Sequence, residues 1–170
     1  MKKLLVVMFC MLFLALSVFA GEEKEESVGL FPVCYKIGGQ MPGAPLFKVS
    51  LLVYTPGKTV SGYGVITQAV NPPLRIVTKL HGDFTYMTVM PRNVHILVTA
   101  TGYPDVRWPI HGGVGPVILP NVDLRMVLTE DWKSGTANYK YVDADGVWHE
   151  INDAPVTIVD CEDIKPGKTS

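Results

Sequence analysis

From Val28 onward, proline or glycine interrupts this chain every ten residues or so. That spacing leaves room for short strands joined by turns but not for long helices. Between the interruptions the apolar residues alternate. Phe47, Val49, Leu51 and Val53 point one way, and Lys48 and Ser50 the other. Leu74, Ile76 and Leu80 alternate with Arg75, Lys79 and His81. Phe84, Tyr86, Thr88 and Met90 form a further face. Val94, Ile96, Val98 and Ala100 alternate with His95, Thr99 and Thr101, and Val122, Leu124, Met126 and Leu128 with Asp123 and Arg125. A period of two sends one set to a core and the other to solvent, as in a strand.

The turns predicted between these strands have a chemical basis. Pro56-Gly57 separates two strands, and Asn71-Pro72-Pro73 blocks a continuing ladder because proline has no amide hydrogen. Gly82-Asp83 and Met90-Pro91-Arg92-Asn93 read as hairpin connections. Asp145-Gly146 reads as a tight turn between Tyr139–Val142 and Val147–His149. Only Thr129–Ser134 suggests helix, as a single turn capped by Thr129 and ended by Gly135. The expectation is an all-β domain of eight or nine antiparallel strands in a two-sheet β-sandwich, with a closed β-barrel as the alternative. The immunoglobulin pattern fails, because Cys34 and Cys161 lie too far apart in sequence for its core disulfide.

The N-terminus follows different rules. Lys2 and Lys3 precede an apolar run from Leu4 to Phe19 broken only by Ser17, and Val18-Phe19-Ala20 supplies small residues where a signal peptidase reads. Residues 1–20 are therefore expected to be a signal peptide cleaved after Ala20, followed by an acidic flexible tether over 21–27. The β-domain spans 28–163 and a flexible tail 164–170. An uncleaved anchor is the competing reading, but the run is shorter than the roughly 20 apolar residues a spanning helix needs. After cleavage no transmembrane segment is expected, and the mature chain would be secreted or periplasmic. Cleavage takes the 15 Lys+Arg down by two against 16 Asp+Glu, a net charge near −3. With no basic stripe for a phosphate backbone to meet, nucleic acid is set aside as a partner.

Cleavage also removes Cys10 and leaves Cys34 and Cys161, one near each end of the domain. In an exported protein an even count favours a disulfide, and this one requires the first and last strands to be neighbours. Two buried free thiols on different strands are the alternative.

Motifs for chemistry are sparse. His149-Glu150-Ile151-Asn152-Asp153 lacks the second histidine of HExxH and lies on a strand, where residues four apart do not meet as they do on a helix. Asp143-Ala144-Asp145-Gly146 lacks the later acids of a calcium loop and is better explained as a turn. Gly112-Gly113-Val114-Gly115-Pro116 has no following Lys-Ser/Thr, so it is not a phosphate loop. His81, His95 and His111 are scattered. No catalytic residue, metal site or cofactor is expected. The longest irregular segment, Gly102–Pro120, holds Trp108 and His111 as candidates for an exposed recognition patch, or Trp108 plugs one end of the domain. Tyr103, Trp108 and Trp148 are candidate aromatic platforms for a ligand.

Several runs resemble a known family. They are Val28–Val33, Thr59–Ala69 with Asn71-Pro72-Pro73, Gly82–Met87, His95–Pro104 and Asp131–Thr136. Together they are similar to a bacterial family described as domain of unknown function eighteen-forty-two, over about Val28 to Gly102 and further. The resemblance implies a bacterial source and no activity.

The leading functional expectation is an exported, non-enzymatic binding or interaction module whose partner is a protein, a glycan or a lipid surface. A secreted hydrolase with a His/carboxylate site drawn from separate strands is the second reading. It requires a histidine about 3 Å from a carboxylate inside a concave pocket. A self-assembling or membrane-surface-binding β-protein is the third. It requires a long open edge or a contiguous exposed apolar patch.

Overall fold

The computed structural model describes residues 29–89, 93–106, 115 and 117–164. The segments expected to be signal peptide and tether, Met90–Arg92, Trp108, His111 and the residues beyond Ile164 lie outside them. The strands are β1 (Leu30–Gly38), β2 (Leu46–Tyr54), β3 (Thr59–Gln68), β4 (Leu74–Val89), β5 (Asn93–Pro104), β6 (Val122–Thr129), β7 (Ser134–Val142) and β8 (Trp148–Ile158). Each pairs antiparallel with the next, and β1 pairs with β8, so the sheet closes into an eight-stranded barrel. The expected two-sheet sandwich is therefore corrected to its alternative. Alternation alone fixes an inner and an outer face. Whether one sheet closes on itself depends on strand coiling, which side-chain patterning does not encode.

Glycines inside strands reveal the coiling. A Cβ on Gly82 would sit 1.9 Å from the Thr99 carbonyl oxygen and 2.6 Å from Ala100 Cα. One on Gly62 would sit 2.0 Å from the Ser50 carbonyl oxygen. At these points adjacent strands fold so sharply that no side chain fits between them. Gly82-Asp83 is thus not the expected hairpin, because β4 runs straight through it in register with both β3 and β5. Glycine next to aspartate is chemically a turn signal, and the requirement for space cannot be read from one strand.

The interior is filled by side chains. Tyr35, Ile37, Phe47, Val49, Ile66, Ile96, Leu124, Met126, Leu128 and Tyr139 are all at most 1% exposed, and the predicted core faces of β2, β5 and β6 point inward. One end of the barrel is plugged by Trp132. It packs edge-on against Phe31 (5.6 Å) and Phe84 (5.1 Å), and its carbonyl accepts a hydrogen bond from Tyr35 Oη at 2.9 Å. Trp132 stands at φ +60° in the turn joining β6 and β7. Thr129 Oγ1 organises that turn by donating to Asp131 Oδ1 (2.6 Å) and accepting from the Ser134 amide (3.3 Å). The single helical turn expected over Thr129–Ser134 is corrected to this side-chain-bonded turn. Thr129 does cap backbone groups, but the chain reverses at once to form β7. Phe47, Tyr139 and Tyr141 form an aromatic layer towards the other end.

The β1–β8 seam is the shortest. It has three register pairs, Tyr35↔Ile158, Lys36↔Thr157 and Ile37↔Val156, whereas β6–β7 has seven. Beyond Ile158 the chain continues as a strap over the outer wall. The Val159 amide donates to the Cys34 carbonyl (2.8 Å), and Cys161 is disulfide-bonded to Cys34 with Cα atoms 5.2 Å apart. Ile164 is 3% exposed, and its carbonyl accepts from Tyr63 Oη on β3. The predicted Cys34–Cys161 bridge is present, and it joins β1 to the strap just beyond β8.

The rest of β8, from Trp148 towards Pro155, pairs with β7 alone. This edge is blunted in three ways. Two residues, Asn152 and Asp153, oppose the single Asn138 in a bulge, with Asp153 at φ +54° and its amide bonded to Asn138 Oδ1 (2.7 Å). Pro155 offers no amide hydrogen, and Glu150 adds charge. All three oppose strand addition.

Candidate functional site

Among the described residues the barrel interior is packed with side chains, so the surfaces open to contact are the outer wall and the loops. On the wall, register places outward residues of β4 to β8 in rows. One row runs His81, Thr101, Asp123, Lys140, Glu150, and the next runs Asp83, Thr99, Arg125, Asn138. Two adjoining clefts follow these rows. The larger, about 700 Å³, is lined by His81, Asp83, Thr99, Thr101, Tyr103 and Arg125 among others. The smaller, about 180 Å³, is lined by Arg125, Asn138, Lys140, Glu150 and Asn152 among others. Asp123 and Arg125 line both, so the clefts make one shallow polar trough across the strands.

The trough is fixed from beneath. Gly102 packs so closely on Thr78 and Val122 that a Cβ there would lie 2.2 Å from Thr78 Oγ1. Thr78, fully buried, donates to Asn121 Oδ1 at 2.7 Å, and Asn121 Nδ2 donates to the Val77 carbonyl at 3.3 Å. This clip ties the end of the β5–β6 connection to β4, directly under Tyr103. Lys140 Nζ pairs with Glu150 Oε2 across β7–β8 at 3.0 Å, and that hydrogen bond holds the Glu150 carboxyl below the usual carboxylate range. Arg125 approaches Asp123 only to 3.9 Å and its side chain is 70% exposed. Its guanidinium is the largest donor array in the trough, and that single long contact leaves most of its donors turned to solvent.

Two of the four sequence candidates can be placed. Tyr103 is 40% exposed and lines the larger cleft, while Trp148 is 51% exposed at the start of β8, two residues before Glu150 on the same face. Trp108 and His111 fall outside the described residues. Sequence reading missed Arg125, Asp123, Lys140 and Asn138. Each is an ordinary outward strand residue, and only the cross-strand register brings them together.

The strongest histidine–carboxylate pair lies elsewhere. His149 Nε2 is 2.6 Å from Asp143 Oδ2, and its ring stacks on Tyr141 with centroids 5.2 Å apart. The other oxygen, Asp143 Oδ1, accepts from the amides of Asp145 and Val147 at 2.9 Å each, with Gly146 at φ +80° completing the predicted Asp145-Gly146 turn. The pair is a hairpin brace and lines neither cleft. Hydrogen bonds from His149 and then from the Val147 amide lower the Asp143 pKa. A depressed carboxyl stabilises the fold above its unfolded pKa and loses that contribution as pH falls through the folded value. The Val147 amide should therefore keep its hydrogen-exchange protection at pH 5 and lose it ahead of the core amides below about pH 4. Equal loss at both places would contradict the brace.

Among the described residues, no group of three or more His, Cys, Asp or Glu is placed to hold a metal ion. No helix is long and apolar enough to cross a membrane among them.

A family model, Domain of unknown function (DUF1842), matches residues 28–148. The chain belongs to that family. The match takes in β1 to β7 and the start of β8, covers every run that carried the resemblance, and ends before Cys161 and the strap. The curated proteins contain no match.

Proposed function

We propose that this DUF1842 protein is an exported, non-enzymatic binding module that holds its ligand on the outer wall of its barrel, in the trough centred on Arg125. One observation carries the reading. The described interior is filled by packed side chains, while the outer wall of β4 to β8 carries a shallow trough dense in hydrogen-bonding groups. Binding faces concentrate polar groups of this kind on rigid elements. The hydrolase reading draws no support from the His149–Asp143 pair, which braces a hairpin and lines neither cleft. Self-assembly is disfavoured by the bulge, proline and charge on the β8 edge. The interior is filled with apolar side chains, unlike the polar lumen of a bilayer-spanning barrel.

Export draws support from the apolar N-terminal run and from the Cys34–Cys161 bond, since disulfides persist in oxidising compartments. The N-terminus of the protein recovered from its producing cells should be Gly21. A chain that retains Lys2 and Lys3, and with them Cys10, and carries three reactive thiols would refute export.

Binding is tested with the mature chain immobilised and challenged in turn with neutral oligosaccharides, a library of extended peptides, and phosphatidylcholine/phosphatidylglycerol vesicles. Wild-type protein should retain one class, and Arg125→Ala should release it. Leu52→Ser, on the outer wall of β2, should not. Retention of no class, or equal retention by wild type and Arg125→Ala, would overturn the reading.

A further inference from the structure

Resting on that reading, we infer that the trough takes a neutral glycan chain, laid across the strands along the polar rows that Tyr103 and Trp148 flank on one side. Charge argues first. The lining carries Asp83, Asp123 and Glu150 against Arg125 and Lys140, so the fixed charges nearly cancel and lean negative. A phosphorylated or uronate-rich ligand would meet three carboxylates, and a polycation would meet the Arg125 guanidinium at the centre. A neutral ligand desolvates this surface with the least electrostatic opposition.

Hydrogen-bonding capacity argues next. Sugar hydroxyls both donate and accept. The rows supply hydroxyls at Thr99, Thr101 and Tyr103, amides at Asn138 and Asn152, carboxylate acceptors, and the guanidinium fork. Several are already oriented. Asn138 Oδ1 is bonded to the Asp153 amide, which leaves its Nδ2 to donate outward. Glu150 is held by Lys140, which leaves acceptor capacity on the carboxylate. An extended peptide would want a free strand edge instead, and the β8 edge beside the trough is blunted by its bulge and Pro155.

Size and shape complete the argument. Tyr103 on β5 and Trp148 on β8 stand three strand spacings apart, about 14 Å. That span suits an oligomer rather than one sugar. Each aromatic ring offers an apolar face to the C–H face of a pyranose at either end, at low conformational-entropy cost. The polar rows run beside the line joining them, two and four residues further along β6, and meet the hydroxyl edges. The trough is shallow and open, so binding along the middle of a chain is accommodated as well as binding at its end.

The experiment is titration calorimetry of the mature, disulfide-bonded chain with cello-, chito- and malto-oligosaccharides from disaccharide to hexasaccharide. At least one series should bind, with affinity rising up to the trisaccharide or tetrasaccharide and then levelling. Arg125→Ala should weaken binding about tenfold, the loss of a hydrogen bond to a charged group, and Tyr103→Ala and Trp148→Ala should each weaken the longer oligomers more than the disaccharide. All three side chains are exposed, so unchanged thermal unfolding of the variants shows that the fold is intact. If peptides or vesicles bind in an Arg125-dependent way and no neutral series does, the glycan inference fails while the binding reading stands. If a neutral series binds but none of the three variants weakens it, the trough is not its site and the inference also fails.

Discussion

Cys161→Ala should lower the unfolding free energy of the mature domain by about 4 kcal/mol and its midpoint by roughly 10–15 °C. The bond joins residues 127 positions apart, so in the chain-entropy picture it removes nearly the largest loop available to the unfolded domain. Its position adds a second reason. The β1–β8 seam has three register pairs, and the strap that extends it is anchored by the bond, by the Val159 amide on the Cys34 carbonyl, and by Tyr63 on the Ile164 carbonyl. Without the bond, the strap loses its covalent anchor and the seam is the first place to open. Wild-type protein unfolded in reductant should superimpose on the variant in denaturant melts. A difference below about 1 kcal/mol between wild type and Cys161→Ala would show that the seam holds by itself.

Gly82→Ala should cost at least about 3 kcal/mol, or prevent folding, through overpacking against backbone that cannot move aside. The added methyl would overlap the Thr99 carbonyl and Ala100 Cα of β5. Those atoms belong to a ladder paired on both sides, with β4 and β6, so relief requires prising two strands apart. Asp83→Ala, one residue on and exposed, should change stability by less than about 0.5 kcal/mol. The contrast distinguishes a kink from a turn. In an exposed hairpin turn, alanine in place of glycine would cost no more than about 1 kcal/mol, and equal small effects at both positions would contradict a continuous β4.

These two sites also mark how far the sequence could be read. Class, strand positions and inner faces were legible because burial enforces a period of two, as in Val122, Leu124, Met126 and Leu128. The Cys34–Cys161 bond was legible as a possibility, since export and an even cysteine count favour it without requiring it. Closure into a barrel was not legible as the first choice. It is set by close approaches at Gly62 and Gly82, and these depend on the neighbouring strand. A plug by Trp108 was one of two readings of that residue, which lies outside the described residues; among them Trp132 plugs one end, from a turn whose own signals looked helical. At the trough, Tyr103 was named from the sequence as an aromatic platform, as was Trp148 just beyond the trough. Arg125 and Asp123 did not, because a charged residue on an outward strand position is the ordinary case. Their meaning comes from the neighbours that register gives them across four other strands.

The account rests on a filled barrel that binds outside. An NMR titration of the mature chain, labelled in backbone amides and methyl groups, with the tightest-binding neutral oligosaccharide tests this most directly. Shifts should appear at Thr99, Thr101, Tyr103, Arg125 and Asn138 on the outer wall and leave the inward methyls of Ile96, Val98, Leu124 and Met126 unmoved. Large shifts at those inward methyls, with the outer wall silent, would place the ligand inside the barrel and contradict the account.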